Sequence, residues 1–200
     1  MSAEHWIQPN SQTILGPLDV RIAFDAPERP LAVDLGCGKG RFLLAMAERC
    51  PNVNFLGVDR MLGRLRKIER TLERTGWRHV RLLRMDLYYC VSYLLAPRSV
   101  HTCYVFFPDP WPKARHQWHR LFQPPFMDGL ARVLIPGGTV HVATDHLPYL
   151  EQIHSIVMGD GRFELVPVFL PSDRERTDFE LRFVHECPIG RLSFRLRGGA

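Results

Sequence analysis

From Leu31 onward, seven short apolar runs of strand length alternate with segments of helical periodicity, and this alternation restricts the fold more than any other feature of the chain. Leu31 to Leu35, Val53 to Val58, Val80 to Leu83, Val100 to Phe107, Thr139 to Ala143, Phe163 to Val168 and Leu192 to Arg197 read as strands. Arg41 to Arg49, Met61 to Thr75, a segment near Leu87 to Leu94, Phe122 to Val133 and Tyr149 to Met158 read as helices. In the second of these, Met61, Leu65, Ile68 and Leu72 share one face. Such alternation predicts an α/β chain with a mostly parallel sheet and helices on both faces. Near the C-terminus, Thr177-Asp178-Phe179-Glu180 fits a capping box opening a short helix to about Cys187, stopped by Pro188 and Gly190. Residues 1–30 carry little periodicity and four prolines, which predicts an irregular arm packed on a single domain spanning 31–200.

Two hundred residues can bury a sizeable core, and 46% hydrophobic with 24% charged residues is ordinary for a globular protein. The five cysteines are scattered with no Cys-x-x-Cys pair, and His116 and His119 have no third ligand at metal spacing nearby, so no metal site is predicted. Met1 to Asn10 lacks an apolar signal core and no run reaches transmembrane length, which predicts a cytoplasmic, membrane-free protein. The formal net charge of +5 favours polyanionic partners. Arginine outnumbers lysine 23 to 3 (Lys39, Lys67, Lys113), a bias that suits phosphate binding and that a GC-rich codon supply also produces.

Two stretches carry chemistry. The first is Val33-Asp34-Leu35-Gly36-Cys37-Gly38-Lys39-Gly40, at the turn from the first strand to its helix. Alternate glycines allow a tight turn and close approach of a ligand to backbone N–H groups. Arg41 occupies the third glycine's place in the dinucleotide fingerprint, so the spacing is Gly-x-Gly-x-Gly, with an acid two residues earlier that can accept from a cationic amino group. Nineteen residues after Gly40, Asp59 ends the second strand, where a carboxylate can take ribose hydroxyls; Asp86 follows the third, where an adenine edge would lie. The order of Asp34, the three glycines, Asp59 and Asp86 resembles the S-adenosylmethionine site of class I methyltransferases. The second stretch is Phe106-Phe107-Pro108-Asp109-Pro110-Trp111-Pro112-Lys113-Ala114-Arg115-His116. Three prolines in five residues forbid a regular helix, so a stiff loop at a strand end holds one carboxylate beside an indole. Alone, such a loop is equally well a rigid surface turn.

Together the two stretches resemble the tRNA (guanine-N7)-methyltransferases, from about Pro30 to Arg197. That resemblance implies a single-domain Rossmann-like class I fold with a seven-stranded sheet, S-adenosyl-L-methionine as cofactor, and tRNA as partner, the chain acting as monomer or homodimer. It implies donor binding by Asp34, Gly36, Gly38, Gly40, Asp59, Asp86 and Asp109, with Asp109 also catalytic. On the acceptor side it implies Lys113, Asp145 of the Thr144-Asp145 pair, and Thr177, Asp178, Phe179 and Glu180. The segment after Lys113 then meets RNA, through Arg115, His116, Trp118, His119 and Arg120. Asp34 stands where the family often has Glu, and Ala114, Gln117 and Trp118 stand where Lys or Arg are common.

Guanine N7 carries a free lone pair, so its attack on a sulfonium methyl removes no proton and needs mainly orientation. Carboxylates such as Asp109, Asp145 or Glu180 can hold the guanine N1–H and amino group and stabilise the cationic purine. Asp109 is thus expected to position rather than act as a compulsory base, and Lys113 to meet a phosphate or carboxylate or to remain a solvated loop lysine. A second basic cluster, Arg60, Arg64, Arg66, Lys67, Arg70 and Arg74 with Arg78, Arg81 and Arg84, reads as a solvated helix face. Methylation of another RNA or a small molecule, and RNA binding with weak catalysis, remain alternatives at this level.

Overall fold

The computed structural model describes residues 5–9, 16–183 and 188–198. Seven strands form one sheet: β1 (Leu31–Leu35), β2 (Asn54–Asp59), β3 (Val80–Arg84), β4 (Val100–Phe106), β5 (Leu134–Thr144), β6 (Phe163–Leu165) and β7 (Gly190–Leu196). Their order is β3-β2-β1-β4-β5-β7-β6. The pairs β1–β2, β2–β3, β1–β4 and β4–β5 are parallel, whereas β7 runs antiparallel to both β5 and β6. The mostly parallel α/β sheet inferred from the alternation is present, with β7 reversed.

Alternate residues of each strand supply opposite cores, as the period of two demands. Leu31, Val33 and Leu35 of β1, with Cys103 and Val105 of β4, face α4 (Pro124–Val133) and α5 (Leu147–Gly159). Ala32, Phe55 and Tyr104 face the other way, toward α1 (Arg41–Arg49) and α2 (Leu62–Thr75). The α1 helix contributes Phe42, Leu43, Met46 and Ala47 to that core, and α2 contributes Leu65, Ile68 and Leu72. Met61 does not join them: it is the extended N-cap of α2 and exposed. Glu69 turns inward instead, because the Trp6 indole N–H donates to its carboxylate at 2.5 Å.

Several boundaries differ from the sequence expectation for local reasons. The segment after β3 is a single turn, α3 (Leu87–Tyr89), continued as a π-turn over Cys90–Leu94. Helix α4 starts at Pro124 because Gln123, preceding a proline, is held extended. Strand β5 begins at Leu134, and the Pro136-Gly137-Gly138 stretch lies within it where the β4–β5 register shifts between Val100 and Thr102. β6 ends at Leu165; Val166 N–H still bonds Ser193 O, but Pro167 has no N–H to continue the ladder. The last helix, α6 (Asp178–Phe183), opens at Thr177 as expected, while its predicted end at Cys187 lies outside the described residues, as do parts of the N-terminal arm.

The described parts of that arm are tied down. Ile7 N–H donates to Leu82 O at the free side of β3, and Leu18 pairs with Leu94 and Ala96 through backbone bonds. Between β6 and α6 the chain crosses the α1-side face, where Phe169 inserts among Phe42, Tyr104, Phe106 and His141. Arg49 pairs with the buried Glu175 at 2.7 Å, and Arg41 Nε donates to Arg176 O at 3.0 Å, so this strap is fastened to α1. Among the described residues no helix is long and apolar enough to cross a membrane.

Candidate active site

The carboxyl edge of the sheet collects the predicted donor-side residues. Gly36, Gly38 and Gly40 all have positive φ, and a Cβ on Gly40 would sit 2.5 Å from Ile68 of α2. Glycine there lets the N-terminus of α1 approach α2, and no side chain caps that N-terminus. Asp59 braces the turn: its Oδ2 accepts from Gly38 N–H at 3.1 Å and its Oδ1 from Met61 N–H at 2.7 Å, with Arg64 at 3.5 Å. Asp34 is 4% exposed, and its Oδ2 is buried without a hydrogen-bond partner among the described residues. Burial first and the Asp59 charge second push its carboxyl up to about 8. A buried acceptor with no donor and an adjacent second carboxylate suit an incoming cationic group. Asp86 is exposed and N-caps α3 through Tyr89 N–H at 3.1 Å, leaving Oδ2 outside that bond.

The acceptor-side residues meet at the ends of β4 and β5. Phe107, just after β4, has φ 53° and donates its N–H to Ala143 O at 2.7 Å. Trp111 has φ 41°. Two bulky residues in the left-handed region flank Pro108-Asp109-Pro110, so the loop is conformationally strained as well as proline-stiffened. The Phe107 ring packs on Phe179 of α6 at 4.6 Å, which joins the Pro-rich loop to the Thr-x-Phe-Glu segment. Asp109 is exposed on this loop; Asp145 is half-buried after β5, next to the buried Thr144, whose hydroxyl accepts from His146 N–H. Thr177 Oγ1 accepts from Glu180 N–H at 3.0 Å, the first half of the capping box, and Asp178 points to solvent.

Glu180 is 4% exposed and ion-paired with Arg191 of β7. The pair lines an open cleft of about 410 Å³ together with Arg176, Leu170, Pro171 and Ile189. Arg191 Nη1 is buried there without a partner among the described residues. The cleft therefore offers a donor beside an acceptor, and its walls contain Glu180 but not Asp109 or Asp145.

The RNA-side expectation divides. Lys113 and Arg115 are exposed, and Ala114–His119 forms a 3-10 turn. Trp118, 72% exposed, packs on His119, which in turn meets Trp111 at 4.7 Å, with His116 at the edge of the same group. Arg120 departs from the expectation of an RNA contact: it is 5% exposed, so it cannot present its charge to solvent phosphates. Its Nε donates to Pro110 O at 2.7 Å, its Nη1 to Gln152 Oε1, and its guanidinium lies 4.8 Å from the Tyr149 ring centroid. It is the internal brace of the Pro-rich loop. Arg191 carries no sequence motif of its own, and no local signal marks the partners of Arg120, Arg41 and Phe107; these contacts arise from chain crossings distant in sequence.

With this geometry in place, comparison with known proteins decides the family. A family model described as "Putative methyltransferase" matches residues 28–185. The tRNA (guanine-N(7)-)-methyltransferase of Halorhodospira halophila is 36% identical over 176 residues, covering 84% of this chain and 75% of the relative. The chain belongs to the tRNA (guanine-N7)-methyltransferase family. The enzyme of the same name from Nocardia farcinica is 41% identical over 140 residues, covering 70% of this chain and 52% of that protein. The chain spans about half the length of that relative and of the one from Mycobacterium avium, of which 56% is covered. The crystal structure of the 16S rRNA methyltransferase KamB superposes with a TM-score of 0.65 over 89% of this chain and 91% of that one, at 16% identity. At that identity the match establishes the class I Rossmann-like fold, which this family member shares.

Proposed function

We propose that this chain transfers a methyl group from S-adenosylmethionine to N7 of a guanine in tRNA, in the variable loop. Family membership supports this reading, and one observation carries it to the residues. The Pro-rich loop and the Thr-x-Phe-Glu segment converge through Phe107 and Phe179 at the sheet edge that also holds Asp34 and Asp59. S-adenosylmethionine supplies an electrophilic sulfonium methyl. In this proposal Asp34 accepts the donor's ammonium group with the buried oxygen that otherwise lacks a partner. Asp59, oriented by Gly38 and Met61 N–H, takes ribose hydroxyls on its remaining lone pairs, and Asp86 faces the adenine.

On the acceptor side N7 needs no base, so the work of the protein is alignment and charge stabilisation. Asp109 and Asp145 accept from the guanine N1–H and amino group; Glu180 shapes the neighbouring cleft with Arg191. In this reading the catalytic domain spans residues 31–200 and residues 1–30 are its N-terminal arm. Arg115, His116, Trp118 and His119 offer charge and an aromatic surface to RNA outside the pocket. In this proposal the chain meets its tRNA in the cytoplasm. The decisive experiment incubates the protein with labelled donor and unmodified total RNA, then maps methylated nucleosides by mass spectrometry. Label in 7-methylguanosine of tRNA is expected; label elsewhere, or none, overturns the proposal.

A further inference from the structure

We propose that the outward face of α2 is a second docking rail for the phosphate backbone of the RNA, remote from the reacting base. This rests on the reading above that the substrate is RNA. Arg66, Lys67, Arg70 and Arg74 are all exposed and follow at spacings of one, three and four residues, opposite the buried Leu65, Ile68, Glu69 and Leu72. They form one stripe about 12 Å long at 1.5 Å rise per residue. A solvated helix face of this length ordinarily interleaves acids at i±3 or i±4 to neutralise itself. Here only one exposed acid, Glu73, three residues after Arg70, is set against four exposed cations. Glu69 is buried and bonded to Trp6, and none of the four cations is in an ion pair among the described residues, although Glu73 lies on the same helix. Arg66–Arg70 and Arg70–Arg74 are like-charged i,i+4 neighbours, which destabilises the helix rather than supporting it. With one exposed acid against four unpaired cations, the stripe keeps a net positive charge that suits an external polyanion.

Position selects the partner. α2 starts immediately after β2, and Arg64 in its first turn reaches Asp59 at 3.5 Å, so the rail begins at the donor edge and runs away from it. A folded RNA presenting one base to that edge carries more backbone than the pocket can cover. An anionic membrane is the lesser fit, because a surface-lying helix needs an apolar face and that of α2 is committed to the core. Met61, its N-cap, is the one exposed large hydrophobic that α2 and its caps carry among the described residues.

The test replaces all four cations in Arg66→Gln/Lys67→Gln/Arg70→Gln/Arg74→Gln, which keeps good helix formers. Fluorescence anisotropy with an unmodified tRNA transcript is followed across salt, and kcat and KM for that tRNA are measured. Four lost phosphate contacts, at roughly 0.7–0.9 each, flatten the log–log salt slope by about 3. KM for tRNA is expected to rise about tenfold or more, while kcat at saturating tRNA and S-adenosylhomocysteine affinity stay at wild-type values. Should the fourfold variant melt early, Arg70→Gln/Arg74→Gln carries the test with about half the slope change. An unchanged slope and KM, with wild-type protein active on tRNA, overturns the rail alone. Loss of affinity for phosphatidylserine vesicles with tRNA binding intact also overturns it. Wild-type protein that neither binds nor methylates tRNA overturns the rail and the proposed function together.

Discussion

At Asp34, burial and the neighbouring Asp59 carboxylate both disfavour the charged form, and the consequence has two signs. An unfolded chain releases this proton near the ordinary carboxylate value of about 3.9, whereas the folded chain holds it to about 8. Ligand-free stability therefore falls as pH rises through that window. Asp34→Asn should melt higher than wild type at pH 7 to 8 and equal to it below about pH 4, with each 1 kcal/mol recovered appearing as about 2–4 °C. The same variant should bind S-adenosylmethionine at least about tenfold more weakly, since a charge-assisted bond is worth about 1.5–3 kcal/mol. Calorimetry at pH 7 in buffers of different ionisation enthalpy should show a proton released on donor binding to wild type and none with the variant. Asp109, exposed on its loop, makes a separate prediction. Asp109→Ala should slow single-turnover methylation about a hundredfold to a thousandfold, the scale of one preorganised electrostatic group, while donor affinity and melting temperature hold. Asp109→Asn, which keeps one acceptor oxygen, should retain part of the rate; a wild-type rate in the alanine variant would reduce Asp109 to a loop residue.

The elements show where sequence reading succeeds and where it stops. Strands β1 to β4 and helices α1 and α2 were legible because each buries a periodic apolar set, and periodicity is a local property. The glycine turn and its three acids were legible for a related reason: they occupy adjacent parallel strand ends, so their order in sequence is their order in space. Arg120 was misread because a run of basic and aromatic residues does not reveal which side chain turns inward. Gln152 and Tyr149, its partners, lie on α5, roughly thirty residues later. Arg191 and Glu180 escaped as a pair for the same reason, since β7 must be inserted beside β5 before they meet. Arg120→Gln should accordingly free the Pro-rich loop from α5, lowering stability by about 1–3 kcal/mol for the unsatisfied Pro110 carbonyl and reducing kcat as well. The salt slope of tRNA binding should be unchanged in that variant. A reduced slope would return Arg120 to the RNA face.

Taken whole, the molecule closes its α1-side face with the strap between β6 and α6, and His141 lies under it. Burial holds the His141 imidazole down to about 4, with Nδ1 2.8 Å from Ser193 Oγ, which also accepts from Phe169 N–H of the strap. The unfolded chain takes up this proton near 6.5 and the folded chain refuses it until about 4, so this group removes stability as pH falls between those values. Asp34 acts in the opposite direction over the same window, and each must be read as variant against wild type. His141→Asn should therefore lose less stability than wild type between about pH 6.5 and 4 in urea titrations; parallel pH profiles would mean the imidazole is not shielded.

The reversed strand β7 sets a limit on how this chain can be made. It follows all six other strands in sequence, yet it lies between β5 and β6. Until it arrives, β5 is an open edge and β6 has no neighbour. A nascent chain can assemble its donor-binding half during translation, but the sheet cannot be completed before β7 has left the ribosome. A chain cut short before Gly190 would expose the β5 edge to intermolecular pairing.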